Sequence, residues 1–113
     1  YELSIQSAAV NSFRQFINTY PNSDKVDEAN ELMAELFLTT RNYEDALATI
    51  ENIKLKTEKI RRAYQRITYF RGIELFNNSS YGDAITYFNK SLASPLDEKT
   101  TALSQFWKEE SFY

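Results

Sequence analysis

Asn42-Tyr43-Glu44-Asp45-Ala46-Leu47 is answered 38 residues later by Ser80-Tyr81-Gly82-Asp83-Ala84-Ile85. Seven positions after each tyrosine stands a bulky apolar residue, Ile50 in the first copy and Phe88 in the second. Upstream, Ala9 and Phe13 precede Ala46 and Ile50 by 37 positions. In the helices that alternate with these copies, Ala34 and Phe37 are matched by Gly72 and Leu75, and Phe70 by Trp107. Most of these matches join a small residue to a large apolar one at helical spacing. Stacked helix pairs need that combination, because the small residue lets two backbones approach and the large one fills the neighbour's groove. A recurrence near 38 residues therefore predicts an array of antiparallel helix pairs.

Outward from this stretch, apolar residues keep helical spacing in six series. They run from Ile5 to Tyr20, Val26 to Phe37, Tyr43 to Ile53, Ile60 to Phe76, Tyr81 to Leu92 and Ala102 to Phe112. Pro21 stops the first, and Asn22-Ser23-Asp24 supplies a turn. Asn42 and Ser80 read as N-caps, each with an acid three positions on (Asp45, Asp83) where the helix dipole favours it. Asp24 and Asp97 read as caps of the second and sixth helices, and Pro95 closes the fifth. The boundary between the third and fourth series, near Lys54 to Glu58, has neither Gly nor Pro and is placed by the repeat alignment alone.

The chain has 113 residues, enough for one small domain. With 15% aromatic residues it has ample material for a core, and with two Gly and two Pro it lacks the turns of a β-sandwich. It contains no Cys and no His, which removes disulfides, thiol nucleophiles, imidazole acid–base chemistry and Cys/His zinc sites. A net charge of −3 and a mean hydropathy of −0.54 argue against a transmembrane span and a globally basic nucleic-acid binder. The acid pairs Asp27-Glu28, Asp97-Glu98 and Glu109-Glu110 point about 100° apart on a helix and make no metal or catalytic constellation. A non-enzymatic protein without metal or cofactor is expected.

The residues of these repeats resemble the tetratricopeptide repeat family. One repeat carries Ala34 and Phe37 in its first helix and Tyr43, Ala46 and Ile50 in its second. The next carries Gly72 and Leu75, then Tyr81, Ala84 and Phe88, with Pro95 closing it. The resemblance implies an all-α, right-handed α-solenoid of about six helices. It divides residues 1–113 into a half-repeat 1–22, repeats 23–57 and 58–95, and a half-repeat 96–113, a piece of a longer repeat protein. Departures are the 37–38 spacing in place of the family's usual 34, Glu109 in the small-residue slot of the last helix, and Ser91 where the family usually has Ala. The stretch Ala9 to Ser23 is also similar to repeats of bacterial envelope proteins, outer-membrane assembly lipoproteins and the Tol–Pal-associated periplasmic class among them, which implies a periplasmic or outer-membrane-associated location.

The resemblance further implies a non-catalytic scaffold that takes a partner protein or peptide on its concave face. Carried over residue by residue, that face holds Glu28, Glu31, Glu35 and Leu38 from one helix and Arg66, Tyr69, Ile73, Phe76 and Asn77 from the next. The three glutamates share a helix face. Beside the aromatics they would suit a peptide with a basic residue next to an apolar anchor, although a solvated outer face shows the same spacing. The family's chaperone-binding members clamp a carboxylate with Lys, Arg and Asn at these positions, and Glu31 and Glu35 have the wrong charge for that. Phe106, Trp107, Phe112 and Tyr113 form an apolar end, expected to cover itself against another chain, as in a homodimer, or by folding back.

Charge is uneven. Residues 1–50 carry a net −5 and residues 51–113 a net +2. The basic run Lys54, Lys56, Lys59, Arg61, Arg62, Arg66 and Arg71 does not align on one face, so it reads as a solvated helix that pairs with acids and not as a nucleic-acid or lipid site.

Overall fold

A computed structural model describes the backbone of residues 2–53 and 56–113 and the side chains of 8–53 and 56–113. Ile5 of the first apolar series and Lys54 of the basic run lie outside the described side chains. Six helices and no strand occur among the described residues: α1 (Glu2–Thr19), α2 (Val26–Thr40), α3 (Tyr43–Glu51), α4 (Glu58–Asn77), α5 (Tyr81–Leu92) and α6 (Glu98–Ser111).

The packing is repeat-like. Each helix packs on the next along the chain, and α2 packs on α4 and α4 on α6. Among the described residues no other helix pair brings its backbones together. The even-numbered helices are therefore one continuous layer. The odd-numbered ones stand apart, with α1 and α3 bridged by Arg14, whose guanidinium donates to the Thr49 hydroxyl at 2.8 Å. The array measures 48 × 31 × 20 Å with a radius of gyration of 14.9 Å, against about 13 Å for an equidimensional domain of this length.

The repeat extends to the backbone. Arg41 and Ser79, 38 positions apart, are the two non-glycine residues with positive φ among the described residues, at 61° and 63°. The residues after them, Asn42 (φ −89°, ψ 71°) and Ser80 (φ −90°, ψ 66°), agree within a few degrees. A left-handed residue with a Cβ costs roughly 1–2 kcal/mol, so each turn has a hydrogen bond to hold it. After Ser79 the Ser80 N–H donates to the Leu75 carbonyl at 2.8 Å, a Schellman closure. After Thr40 the closure goes through a side chain: the Thr40 hydroxyl donates to the Phe37 carbonyl at 3.2 Å and accepts from the Asn42 N–H at 3.4 Å.

Three of the expected caps differ. Asn42 and Ser80 occupy N-cap positions, but neither side chain bonds the helix backbone, and Asn42 donates instead to the Asp45 carboxylate at 2.8 Å. The residue before α2 is Lys25, not Asp24. Asp97 does cap α6, accepting from the Thr100 N–H at 3.0 Å and from the Thr100 hydroxyl. Thr57 caps α4, accepting from the Ile60 N–H at 3.2 Å.

Among the described residues the core falls into two clusters. The first is built of apolar side chains: Val10, Met33, Ala34, Phe37, Tyr43, Ala46, Leu47, Ile50, Ile60, Ala63 and Ile67. The second has Tyr69, Ala84 and Phe88 at its centre, with Ile73, Phe76, Leu103 and Trp107 at its margin. Gly72 makes the second possible. A Cβ there would lie 2.6 Å from the Phe88 ring, so only glycine lets α5 seat Phe88 this close to α4.

Around the second cluster, polar side chains are buried and paired. Gln65 spans α4 to the α5–α6 connection. Its amide oxygen accepts from the Leu96 and Asp97 N–H groups at 3.1 and 2.8 Å, and its nitrogen donates to the Thr101 hydroxyl at 2.7 Å. The Ser91 hydroxyl donates to the Gln65 carbonyl at 3.0 Å and lies 2.9 Å from the Ser104 hydroxyl.

Candidate functional site

The even-numbered helices carry the residues singled out from sequence, and the structure separates them into two groups. Glu31 and Glu35 meet the start of α4. The Thr57 hydroxyl, already capping α4, donates to the Glu31 carboxylate at 2.7 Å, and the Lys59 ammonium lies 3.1 Å from Glu35. The hydrogen bond that Lys59 donates to Glu35, together with the charge of that carboxylate, raises the Lys59 pKa above the ordinary lysine value. Glu28 pairs with Lys25 one turn away at 3.8 Å on the open surface. Two of the three glutamates thus hold α2 to α4, which is an internal use of their charge.

Phe76 and Asn77 lie at the other end of α4, about 25 Å along its axis. Phe76 meets Tyr81 and Trp107 edge-to-face, with ring centroids at 5.3 and 5.2 Å. Ile73 is half-buried beside the second cluster, Leu38 is half-buried against the first, and Arg66 and Asn77 are exposed. Tyr69 is 9% exposed and belongs to the core, its ring centroid 5.3 Å from Phe70 and 6.2 Å from Phe88. Burial pushes its hydroxyl pKa up, with the Trp107 indole offsetting part of the effect. The acidic stripe and the aromatic patch are therefore not adjacent, and Tyr69 is not open to a partner.

The aromatic group near the C-terminal end of α6 also divides. Phe106, Phe112 and Tyr113 are exposed. Trp107 is half-buried, placed between Phe76 and the perpendicular ring of Phe106 at 5.0 Å, and so serves the α4–α6 contact.

Most of the basic run is engaged within the chain. Arg71 reaches Glu44 of α3 at 2.7 Å and Glu74 at 3.2 Å, Arg62 reaches Glu58 at 3.1 Å, and the Lys56 ammonium donates to the Ile53 carbonyl at 3.0 Å. Arg61 and Arg66 project into solvent. The pairing partners Glu35 and Glu44 come from the acidic first half. These are exposed or half-exposed pairs, of the kind that water and salt screen and that add little to stability.

Among the described residues no group of three or more carboxylates gathers as a metal site, and no helix is long and apolar enough to cross a membrane. No family model, curated protein or solved structure matches the chain.

Sequence reasoning passed over Asn30 and Gln65. Both are single amides within amphipathic helices, and nothing in their neighbours marks them, because what surrounds each comes from more than one helix.

Proposed function

We propose that this chain is a non-catalytic helical-repeat module, built like the tetratricopeptide repeats, that binds a partner protein or peptide on the face presented by α2, α4 and α6. The observation that carries this reading is the contact pattern. Helices two apart touch along the even series and not along the odd, so one face is a continuous surface on which a partner spans several helices. On that surface Phe76, Trp107 and Phe106 form a chain of edge-to-face rings, an aromatic anchor of the kind that dominates binding energy. Arg66 and Asn77 add exposed polar contacts on α4, and selectivity then comes from charge. The glutamates Glu31 and Glu35 contribute less than the sequence pattern suggested, since α4 already uses them.

A test is capture from an extract of the source cells by wild-type protein and by an Arg66→Glu, Phe106→Asp double variant, both changes being at exposed positions. Loss of the captured partner with an unchanged helical circular dichroism melt is the expected result, and equal capture by both proteins would count against the face.

A second reading is self-association through Phe106, Phe112 and Tyr113. Their exposure favours it, because large apolar side chains clustered on a surface mark contact sites. Sedimentation over a concentration series separates the two, since a pairing segment dimerises with concentration while a partner-binding module stays monomeric. A bacterial envelope location, periplasmic or at the outer membrane, rests on the resemblance of the stretch Ala9 to Ser23.

A further inference from the structure

The last helix is held to the array by different means from the others. Each of α2 to α5 buries at least one large apolar side chain: Phe37, Ile50, Ile67 and Phe88 are all 3% exposed or less. The buried residues of α6 are Thr100, Ser104 and Ser111, all hydroxyl-bearing. Its apolar residues lie further out, with Leu103 and Trp107 half-buried and Ala102 and Phe106 exposed.

Two of the three buried hydroxyls are used within α6 and its cap. Ser111 donates to the Trp107 carbonyl at 2.7 Å, and Thr100 donates to the Asp97 carboxylate. The side-chain hydrogen bonds that join α6 and its connection to the rest of the molecule all end on Ser91 and Gln65. The Ser104 and Ser91 hydroxyls lie 2.9 Å apart, and Gln65 engages Thr101, Leu96 and Asp97.

That composition decides how α6 leaves. On separation each polar group exchanges its partner for water, so the net loss is small, whereas hydrocarbon drawn out of a core recovers nothing. Partial separation is worse than either end state, because it leaves a buried hydroxyl or amide without a partner. The set therefore breaks together. α5 does not follow, since Phe88 is seated against Gly72 and Tyr69 of α4, and all three belong to the part left behind.

We propose that α6 is a detachable strap, which opens from the array as one unit about the Leu96–Asp97 connection while α1 to α5 stay folded. Opening takes Trp107 away from Phe76 and so dismantles the chain of rings on the even-helix face. What that does to a partner rests on the reading above, whereas the opening itself does not.

The test is native-state hydrogen exchange of the full chain, read by NMR at urea concentrations below the unfolding transition. The expected result is that the amides from Thr101 to Lys108 share one protection factor and one urea slope, with protection about a hundredfold lower than that of Tyr64 to Phe70 in α4. Ser91→Cys with Ser104→Cys places two thiols in a chain that has no other, where the two hydroxyls now meet. Oxidised, that variant should raise α6 protection roughly tenfold or more, and reduction should reverse the gain. The wild-type exchange decides alone if the pair does not oxidise. Protection in α6 equal to that in α4, lost only with global unfolding, would overturn the strap. So would protection that falls steadily from Thr101 to Ser111, which is the signature of a fraying end. Either result leaves the even-helix face to its own capture test, and failure of that test leaves the opening standing.

Discussion

The contact of α3 with α4 and that of α5 with α6 occupy matching places in the repeat, yet they are made of different material. In the first, Ala46, Leu47 and Ile50 meet Ile60, Ala63 and Ile67, all hydrocarbon. In the second, Ala84, Phe88 and Ser91 lie among Thr100, Ser104 and Trp107. Ile67 and Ser104 stand 37 positions apart and are both fully buried. Tyr43 is 7% exposed and stacked on Phe70 at 5.7 Å, while its repeat partner Tyr81 is 43% exposed and turned toward Phe76. The same helical geometry is thus stabilised once by area removed from water and once by paired hydroxyls and an amide. The hydrocarbon contact is tolerant, since any side chain of similar volume serves. The polar contact is specific, since each group depends on a named partner that becomes a liability when the other is removed.

The sharpest way to break the comparison is to write the second solution into the first site. Ile67→Ser places a hydroxyl in the apolar cluster that also holds Ala46, Leu47, Ile50 and Ile60. No second hydroxyl waits there as Ser91 waits for Ser104 at 2.9 Å. The serine can turn back to a carbonyl of its own helix, but the cavity remains. A loss of about 4 kcal/mol is expected, read as a shift of the urea midpoint with an unchanged slope.

Gln65→Ala tests the other half. Truncation strands the Leu96 and Asp97 N–H groups and releases Thr101, and each stranded buried donor costs about 1–3 kcal/mol. Water reaches part of the connection, so the expected total is about 3 kcal/mol. The location of the damage is the more telling readout. Hydrogen exchange should accelerate at Leu96, Asp97 and through α6, while the α2–α3 amides change little. Equal acceleration in both halves would mean that the chain unfolds as one unit and that the two contacts are not separate devices.

The repeat was legible because its signal is local. Tyr43, Ala46 and Ile50 and their echoes at 81, 84 and 88 are spaced by helix geometry, and Ala46, Ala84, Ile50 and Phe88 are all buried as that spacing requires. Asp97 was legible as a cap for the same reason, since its partner is three residues away. What stayed hidden depends on distant segments. Gln65 sits in a strongly basic stretch and looks solvated until the connection 31–32 residues on folds over it. Tyr69 reads as a surface aromatic because helical spacing alone does not say which faces are covered, and Gly72 decides it by admitting Phe88. The glutamates of α2 read as a free acidic stripe because Thr57 and Lys59, which engage them, are 24–26 residues away.

The smallest effect is also the one with a controllable sign. The Thr100 hydroxyl and N–H both donate to the Asp97 carboxylate, and they hold its pKa below the ordinary aspartate range, with Arg66 and Arg62 adding a weaker pull in the same direction. A carboxyl whose pKa is depressed by folding binds its proton more readily in the unfolded chain. Its contribution is therefore complete above the unfolded value of about 4 and disappears as pH falls through the folded one. Asp97→Ala should cost about 1 kcal/mol at neutral pH, with the gap to wild type closing in acid. Asp97→Asn retains a capping oxygen and should be nearly as stable as wild type at neutral pH, without that acid-dependent change. Added salt should screen the arginine part and leave the hydrogen-bonded part. A gap that instead stayed constant from neutral pH into strong acid would mean that Asp97 acts through the shape of the α5–α6 connection and not through its charge.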